Sequence, residues 1–235
     1  MIPMIRAPLV VGYKGEIGRF LLAGFLEDLP KANDIFCVDV NNPEEDVRER
    51  IAKSDYIFLC VPLQHTSAWL TQYKTALNDA IIVEQCSVKS FLYEAPEFAD
   101  LKFLSMHLLF RPSATPVADR RCLVFGERLD SKLVQRFGEY ISQAFKTSVV
   151  EVRSDEEDAH IVHDHLMARH QALVHRVVLK LADRLGAVEA RTFVGQRICE
   201  LADRINAGDP ILYRMIQENP LAAGELESFA KSLES

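Results

Sequence analysis

The chain has 235 residues, 49% of them apolar and 26% charged, with a formal net charge of −7 at pH 7. That length and composition fit a globular protein of one large domain or two modest ones with ample core. The acidic balance argues against nucleic acid or an anionic membrane surface as partner, and no apolar run reaches the length of a membrane span. The first residues, Met1-Ile2-Pro3-Met4-Ile5-Arg6, lack a basic start followed by an apolar core, so we expect no signal peptide. The cysteines at 37, 60, 86, 122 and 199 form no C-x-x-C pair. An odd, scattered set fits reduced core thiols and a cytoplasmic location.

Residues 9–11 form a short apolar run that ends in Gly12-Tyr13-Lys14-Gly15-Glu16-Ile17-Gly18, and Phe20, Leu21, Leu22, Phe25 and Leu26 follow as an amphipathic segment. This pattern predicts a strand, a tight turn and a helix. Gly12 permits the sharp turn, Gly15 a close approach of backbone to a pyrophosphate, and Gly18 close packing of helix on strand. The helix N-terminus, with its free N–H groups and positive dipole end, suits a phosphate. The spacing is G-x-x-G-x-x-G, and no Lys-Ser or Lys-Thr follows it, which excludes a P-loop. A second strand over 34–39 ends in Asp39, where a dinucleotide-binding unit places the carboxylate that bonds a ribose 2′-hydroxyl. A carboxylate there repels a 2′-phosphate, so NAD is expected over NADP. The alternative is a chance glycine-rich turn and a surface aspartate.

A polar segment over 41–50 predicts a short helix. The third strand, 55–62, is stopped by Pro62, and a helix over 64–76 carries Trp69 and Tyr73 four residues apart. The fourth strand, 80–84, leads into the polar loop 85–90, and the fifth, 102–106, leads into His107. The sixth strand covers 121–126. Leu133, Phe137, Tyr140, Ile141 and Ala144 mark one face of a helix, and 148–152 is a last strand. Strands alternating with helices imply a doubly wound, Rossmann-type, mostly parallel α/β sheet over residues 1–152, with ligands at the carboxyl ends of its strands. Gly12 to Gly18, Asp39, Pro62, Ser87 and His107 then share one rim.

No convincing strand follows. Ser154-Asp155-Glu156-Glu157 reads as a capping box opening a helix that runs to about residue 185, with Gly186 as its stop. A second helix is expected over about 187–207, ending at Gly208. Asp209-Pro210 would start a third, and Pro220 would precede a short last one. Residues 153–235 are thus expected to form a smaller all-α domain that packs on the first and joins a partner chain.

Two sets of residues carry candidate chemistry. Ser87 and His107 stand at strand ends, and a histidine there is a candidate general base, its ordinary pKa being about 6.5. The competing reading is a structural histidine capping a strand. His160, His163, His165, His170 and His175 crowd the long helix. Without H-E-x-x-H or a histidine pair four apart, we expect a polar helix face, helped by Asp164, and no metal site. Arg197 and Arg204, seven apart, could share a face and grip a carboxylate, or be solvated surface arginines.

The chain resembles the prephenate and arogenate dehydrogenase family of tyrosine biosynthesis. The resemblance rests on residues 11–18, the strand ending Cys60-Val61-Pro62, Ser87-Val88-Lys89, and Met106-His107-Leu108-Leu109-Phe110. Its most specific piece is His163-Asp164-His165-Leu166-Met167-Ala168-Arg169-His170-Gln171-Ala172-Leu173-Val174-His175, followed by Arg204 upstream of 209–213. It implies NAD-dependent oxidative decarboxylation of an anionic cyclohexadienyl substrate, prephenate first, with arogenate or 4-amino-4-deoxyprephenate as alternatives. A non-catalytic nucleotide-binding relative is a further alternative. It assigns catalysis to His107 and Ser87, substrate binding to His175, Arg204 and Gln171, and a homodimer through the helical region. The cofactor-binding set is Gly12, Tyr13, Lys14, Gly15, Glu16, Ile17, Gly18, Asp39, Val61 and Pro62. The chain departs from the family after the fifth strand, where His107-Leu108-Leu109-Phe110-Arg111-Pro112 replaces the usual His-Pro and later Gly. Its helical region is shorter than usual. Glu84 stands where an aspartate is often found.

Overall fold

A computed structural model describes residues 5–29, 34–77, 79–153, 158–185, 192–207 and 210–233. The chain divides into two compact units, Met1–Cys86 with Glu94–Ala159, and Ser87–Tyr93 with His160–Ser235. The segment 87–93 therefore groups with the helices, although it lies inside the 1–152 span read from the sequence.

The first unit is an α/β sheet of seven strands: β1 (Pro8–Val11), β2 (Phe36–Val38), β3 (Tyr56–Leu59), β4 (Ile81–Glu84), β5 (Phe103–Leu108), β6 (Arg121–Phe125) and β7 (Val149–Arg153). Their order is β2-β1-β3-β4-β5-β6-β7, parallel except for the β5–β6 pair. All four residues of β1 and of β3 are buried, as continuous apolar runs covered on both faces must be. Its helices are α1 (Glu16–Asp28), α2 (Glu44–Lys53), α3 (Leu63–Tyr73) and, between β6 and β7, the helix Ser131–Ala144, numbered α5 below. Strand order reverses at β1, so the switch point lies where β1 and β3 meet, Leu9 opposite Ile57.

An aromatic cluster joins helix to sheet: Phe25 meets Phe58 at 4.9 Å and Phe58 meets Phe137 at 6.3 Å between ring centroids. Trp69 and Tyr73, four residues apart, meet at 4.9 Å with their ring planes tilted by 45°.

The second unit contains the short helix α4 (Ser90–Tyr93), which precedes α5 in the chain, and then α6 (Ala159–Met167), α7 (Val174–Leu185), α8 (Phe193–Asn206), α9 (Pro210–Gln217) and α10 (Ala222–Ser232). Between α6 and α7 the expected long helix continues as a π-helical stretch, Ala168–Leu173. This local widening leaves no trace in hydrophobic periodicity and is common at functional sites. The Ala172 carbonyl accepts from the Gln217 amide at 3.2 Å. Ala168 and Ala172 pack with Ile216 and Ala222 in a small core. The expected capping box at 154–157, the stop at Gly186, the start of the second helix at 187–191, and Gly208 and Asp209 lie outside the described residues.

Asp164 does not belong to a polar helix face. Its side chain is fully buried, with His163 at 1% and His160 at 6% exposure. The carboxylate accepts from the Lys89 N–H at 2.7 Å, the Ser90 N–H at 2.9 Å and the Ser90 hydroxyl, and lies 3.0 Å from His163 Nδ1. Its own carbonyl accepts from Asn219 at 2.9 Å. Three remote segments thus meet at one residue, and the acid that looked solvated instead caps the start of α4. Burial alone would raise its pKa, but the bonds from His163, Ser90 and Lys89 outweigh it and hold the carboxyl below the usual aspartate value.

Asp164→Ala strands those buried donors, so urea unfolding followed by helical circular dichroism should show a loss of about 3 kcal/mol or more. Because the folded pKa is depressed, this stabilisation is present above an unfolded value of about 3.9 and is lost as pH falls through the folded one. The variant's stability should accordingly depend less on pH below about 4 than the native chain's.

Candidate functional site

The glycine turn sits at the carboxyl end of β1. Gly12 has φ of +80°, a conformation that suits glycine, and its N–H donates to Val38 at 2.8 Å. A Cβ on Gly12 would lie 2.7 Å from the Cys60 carbonyl oxygen, and one on Gly18 would lie 2.3 Å from the Gly12 oxygen and 2.6 Å from Tyr13 Cα. The turn, the end of β3 and the first turn of α1 are therefore in backbone contact. Gly15 caps α1 with an ordinary extended conformation and offers no side-chain cap. The first N–H groups of α1 have no side-chain cap, and a helix start of this kind after a glycine turn suits a phosphate.

Asp39 follows β2 on the same rim. Its carboxylate accepts from the Lys14 N–H at 3.2 Å and the Val40 N–H at 2.9 Å, and the Asp39 N–H donates to Asn42 at 2.7 Å. These bonds aim the carboxylate at the glycine turn and leave lone pairs for hydroxyl donors. Residues 40–43 contain no lysine or arginine, and α2 opens with Glu44, Glu45 and Asp46. A phosphate beside Asp39 would meet its carboxylate and the acidic start of α2. Tyr13 and Lys14 lie beside each other in the turn, the ammonium 5.7 Å from the ring centroid. Val61 flanks Gly12, and Pro62 precedes α3 and accepts from the His65 N–H at 2.8 Å. Ile17 packs against the core.

Glu16, the first residue of α1, points to the segment after β5. It accepts from the Ser113 N–H at 3.0 Å, the Ser113 hydroxyl at 2.6 Å and Arg111 Nη2 at 3.3 Å. The two Ser113 bonds, with help from Arg111, hold its carboxyl below the usual glutamate value. Nothing local in the sequence announces this bond between positions 97 residues apart.

His107 does not follow the fifth strand but lies within it, opposite Leu123 of β6, and is 7% exposed. Antiparallel pairing with β6 extends the ladder by two residues beyond the expected end, and Leu109 adds a further bond to Arg121 at 2.9 Å. It remains near the carboxyl end of β5, on the rim that carries Gly12. Glu84 is fully buried at the end of β4 and accepts from the Cys86 N–H at 2.8 Å.

In the second unit, Ser87 is half-buried two residues before Lys89. Gln171 lies in the π-helical stretch and His175 one turn on. Gln171 Oε1 and His175 Nδ1 are buried and have no hydrogen-bond partner among the described residues. The His175 ring stacks on Tyr213, centroids 5.3 Å apart and planes 13° off parallel, and burial lowers its pKa. These two polar atoms lie on side chains one turn apart, the second beside an aromatic ring. Arg204 is exposed on α8. Arg197, expected as its partner, bonds Glu200 on its own helix at 2.6 Å and lies over Phe193. Among the described residues no cluster of three or more His, Cys, Asp or Glu is placed to hold a metal ion, and no helix is long and apolar enough to cross a membrane.

The fold is the doubly wound, Rossmann-type class with a helical region after the sheet. No family profile and no curated protein sequence matches the chain. Among solved structures it is similar to a candidate prephenate dehydrogenase from Corynebacterium glutamicum, at a TM-score of 0.73 and 20% identity over 98% of this chain and 80% of that one. It is also similar to an imine reductase from Myxococcus stipitatus in complex with NADP+, at a TM-score of 0.57 and 13% identity, over 86% and 73% of the two chains. A pyrroline-5-carboxylate reductase from Coxiella burnetii gives 0.52 and 14%, over 99% and 91%.

Because burial depresses its pKa, the His175 ring should be neutral at pH 7, with a titration midpoint below about 6.5 in a proton-detected NMR titration of the free protein. A midpoint above 7 would contradict the buried placement.

Proposed function

We propose that this chain is an NAD-dependent dehydrogenase of the prephenate type, converting prephenate to 4-hydroxyphenylpyruvate and CO2. The observation that carries the reading is the glycine cradle at the β1–β3 switch point with an anchored Asp39 carboxylate beside it. The motif at 163–175, whose Gln171 and His175 keep orphaned polar atoms, supports a polar ring substrate. The fold shared with the Corynebacterium protein agrees with it.

In this reading the α1 N-terminus takes the diphosphate and Asp39 the adenosine ribose, which favours NAD over NADP. Bound NAD supplies the hydride acceptor. His107 accepts the proton of the substrate's 4-hydroxyl as the hydride leaves C4, and Ser87 positions that hydroxyl. Loss of the C1 carboxylate as CO2 then makes the ring aromatic, and the proton held by His107 returns to the phenol oxygen. His175 and Gln171 bind the ring substituents, and Arg204 faces a substrate carboxylate. A second copy of the chain is proposed to cover the apolar residues exposed on the helical unit, Val174 and Leu181 on α7 and Val194 and Leu201 on α8, each pair seven apart. Sedimentation as a monomer would contradict that.

The experiment is NADH formation by purified protein with NAD and prephenate, with arogenate and 4-amino-4-deoxyprephenate in parallel. Turnover with prephenate supports the reading, and turnover with another ring alone reassigns the substrate. NADH binding without turnover on any of them favours a non-catalytic relative, which the altered segment after His107 would suit.

Two variants test the roles. His107→Asn should lower kcat about 100-fold or more while NADH affinity barely moves, as for loss of a general base. Arg204→Ala should act mainly on KM, by an amount equivalent to a charge-assisted hydrogen bond, about 1.5–3 kcal/mol. An unmoved KM would assign the substrate carboxylate to another cation.

A further inference from the structure

The segment after β5 is tied to the first turn of α1 by bonds that neither the sheet nor the glycine turn requires. Behind Arg111 the loop keeps its own shape. The Ala114 and Thr115 N–H groups return to the Arg111 carbonyl at 3.0 and 2.9 Å, and the Thr115 hydroxyl accepts from the Arg111 N–H at 3.3 Å. Arg120 lies over Phe20 and Phe110 at 5.3 and 5.6 Å and donates to the Thr115 and Pro112 carbonyls at 3.4 and 3.5 Å. The Arg111 guanidinium is thereby held one carboxylate side chain away from the open N–H groups of α1.

The two holds on Glu16 are unequal. Ser113 gives two bonds, at 3.0 and 2.6 Å, whereas Arg111 gives one long bond of 3.3 Å from a side chain that is 78% exposed. The remaining guanidinium donors have no hydrogen-bond partner among the described residues. Ser113 therefore suffices to fix the loop, and the arginine is loosely held and donor-rich. A diphosphate on the α1 N-terminus would carry more charge than the single Glu16 carboxylate, and would present paired oxygens that match the guanidinium fork.

We propose that Arg111 is a diphosphate-binding residue: it leaves Glu16 for the dinucleotide's diphosphate, while Ser113 keeps Glu16 and holds the loop in place. The proposal rests on the dinucleotide reading above and adds a residue outside the glycine turn to it. Glu16 then screens the guanidinium while no dinucleotide is bound.

The test is the NADH dissociation constant of the full chain, read by nicotinamide fluorescence at low and high salt, for the native protein, Arg111→Ala and Arg111→Lys. Arg111→Ala should weaken binding about tenfold at low salt and by less at high salt, and Arg111→Lys, which keeps the charge but not the fork, should recover part of the loss. An unchanged constant in Arg111→Ala would overturn the proposal and leave the arginine as a partner of Glu16 alone. A loss that is equal at both salt concentrations and not recovered by lysine would also overturn it, by assigning Arg111 a scaffold role. A native protein that binds no NADH would overturn the dinucleotide reading itself, and this proposal with it.

Discussion

A methyl group on residue 18 would lie 2.3 Å from the Gly12 carbonyl oxygen, closer than any side chain tolerates. That contact is what lets α1 begin directly on the turn that leaves β1. Gly12 itself must turn with positive φ while passing the Cys60 carbonyl at the end of β3. The helix end, the turn and the switch point of the sheet are thereby fixed with respect to one another by backbone alone. Everything assigned to the first unit depends on this: the cradle for a phosphate, the reach of Asp39 to the Lys14 N–H, and the position of Glu16 from which the loop after β5 is held.

The second unit depends on a different kind of constraint. Asp164 is a buried charge, costly in itself, made tolerable by N–H and hydroxyl donors from residues 89 and 90 and by His163. Those donors come from the chain segment immediately after β4, so the capped turn that carries Ser87 is organised by an acid 75 residues further on. Further along the same helix the π-helical stretch and the Gln217 bond to Ala172 set Gln171 and His175 one turn apart. Gln171 Oε1 and His175 Nδ1 are buried there without a hydrogen-bond partner among the described residues.

The strands, the glycine turn, Asp39 and the succession of helices were legible because each rests on local pattern: apolar runs between breakers, glycine spacing, and 3.6-residue periodicity. The exact end of β5 was not, because pairing with β6 rather than local propensity decides it, and so His107 proved to lie inside the strand. Asp164 read as solvated because it neighbours histidines on a helix, and nothing within a turn of it reveals the donors that bury it. The Glu16–Ser113 bond and the grouping of residues 87–93 with the helices join distant positions and carry no local signal. Arg111 stood out as a departure from the resembled family, but which group it faces became visible only in three dimensions. The roles proposed for His107, Ser87, His175, Gln171 and Arg204 rest on the resemblance and on their chemistry.

The cradle between Gly12 and Gly18, with Asp39 and the acidic start of α2 beside it, is proposed to hold a dinucleotide lacking a 2′-phosphate. This is tested most directly by titrating the native protein with NADH and with NADPH under the same conditions. The account predicts saturable NADH binding at least about tenfold tighter than NADPH, from the charge that a 2′-phosphate would meet at Asp39. Equal or tighter binding of NADPH, or no binding of either, would contradict it.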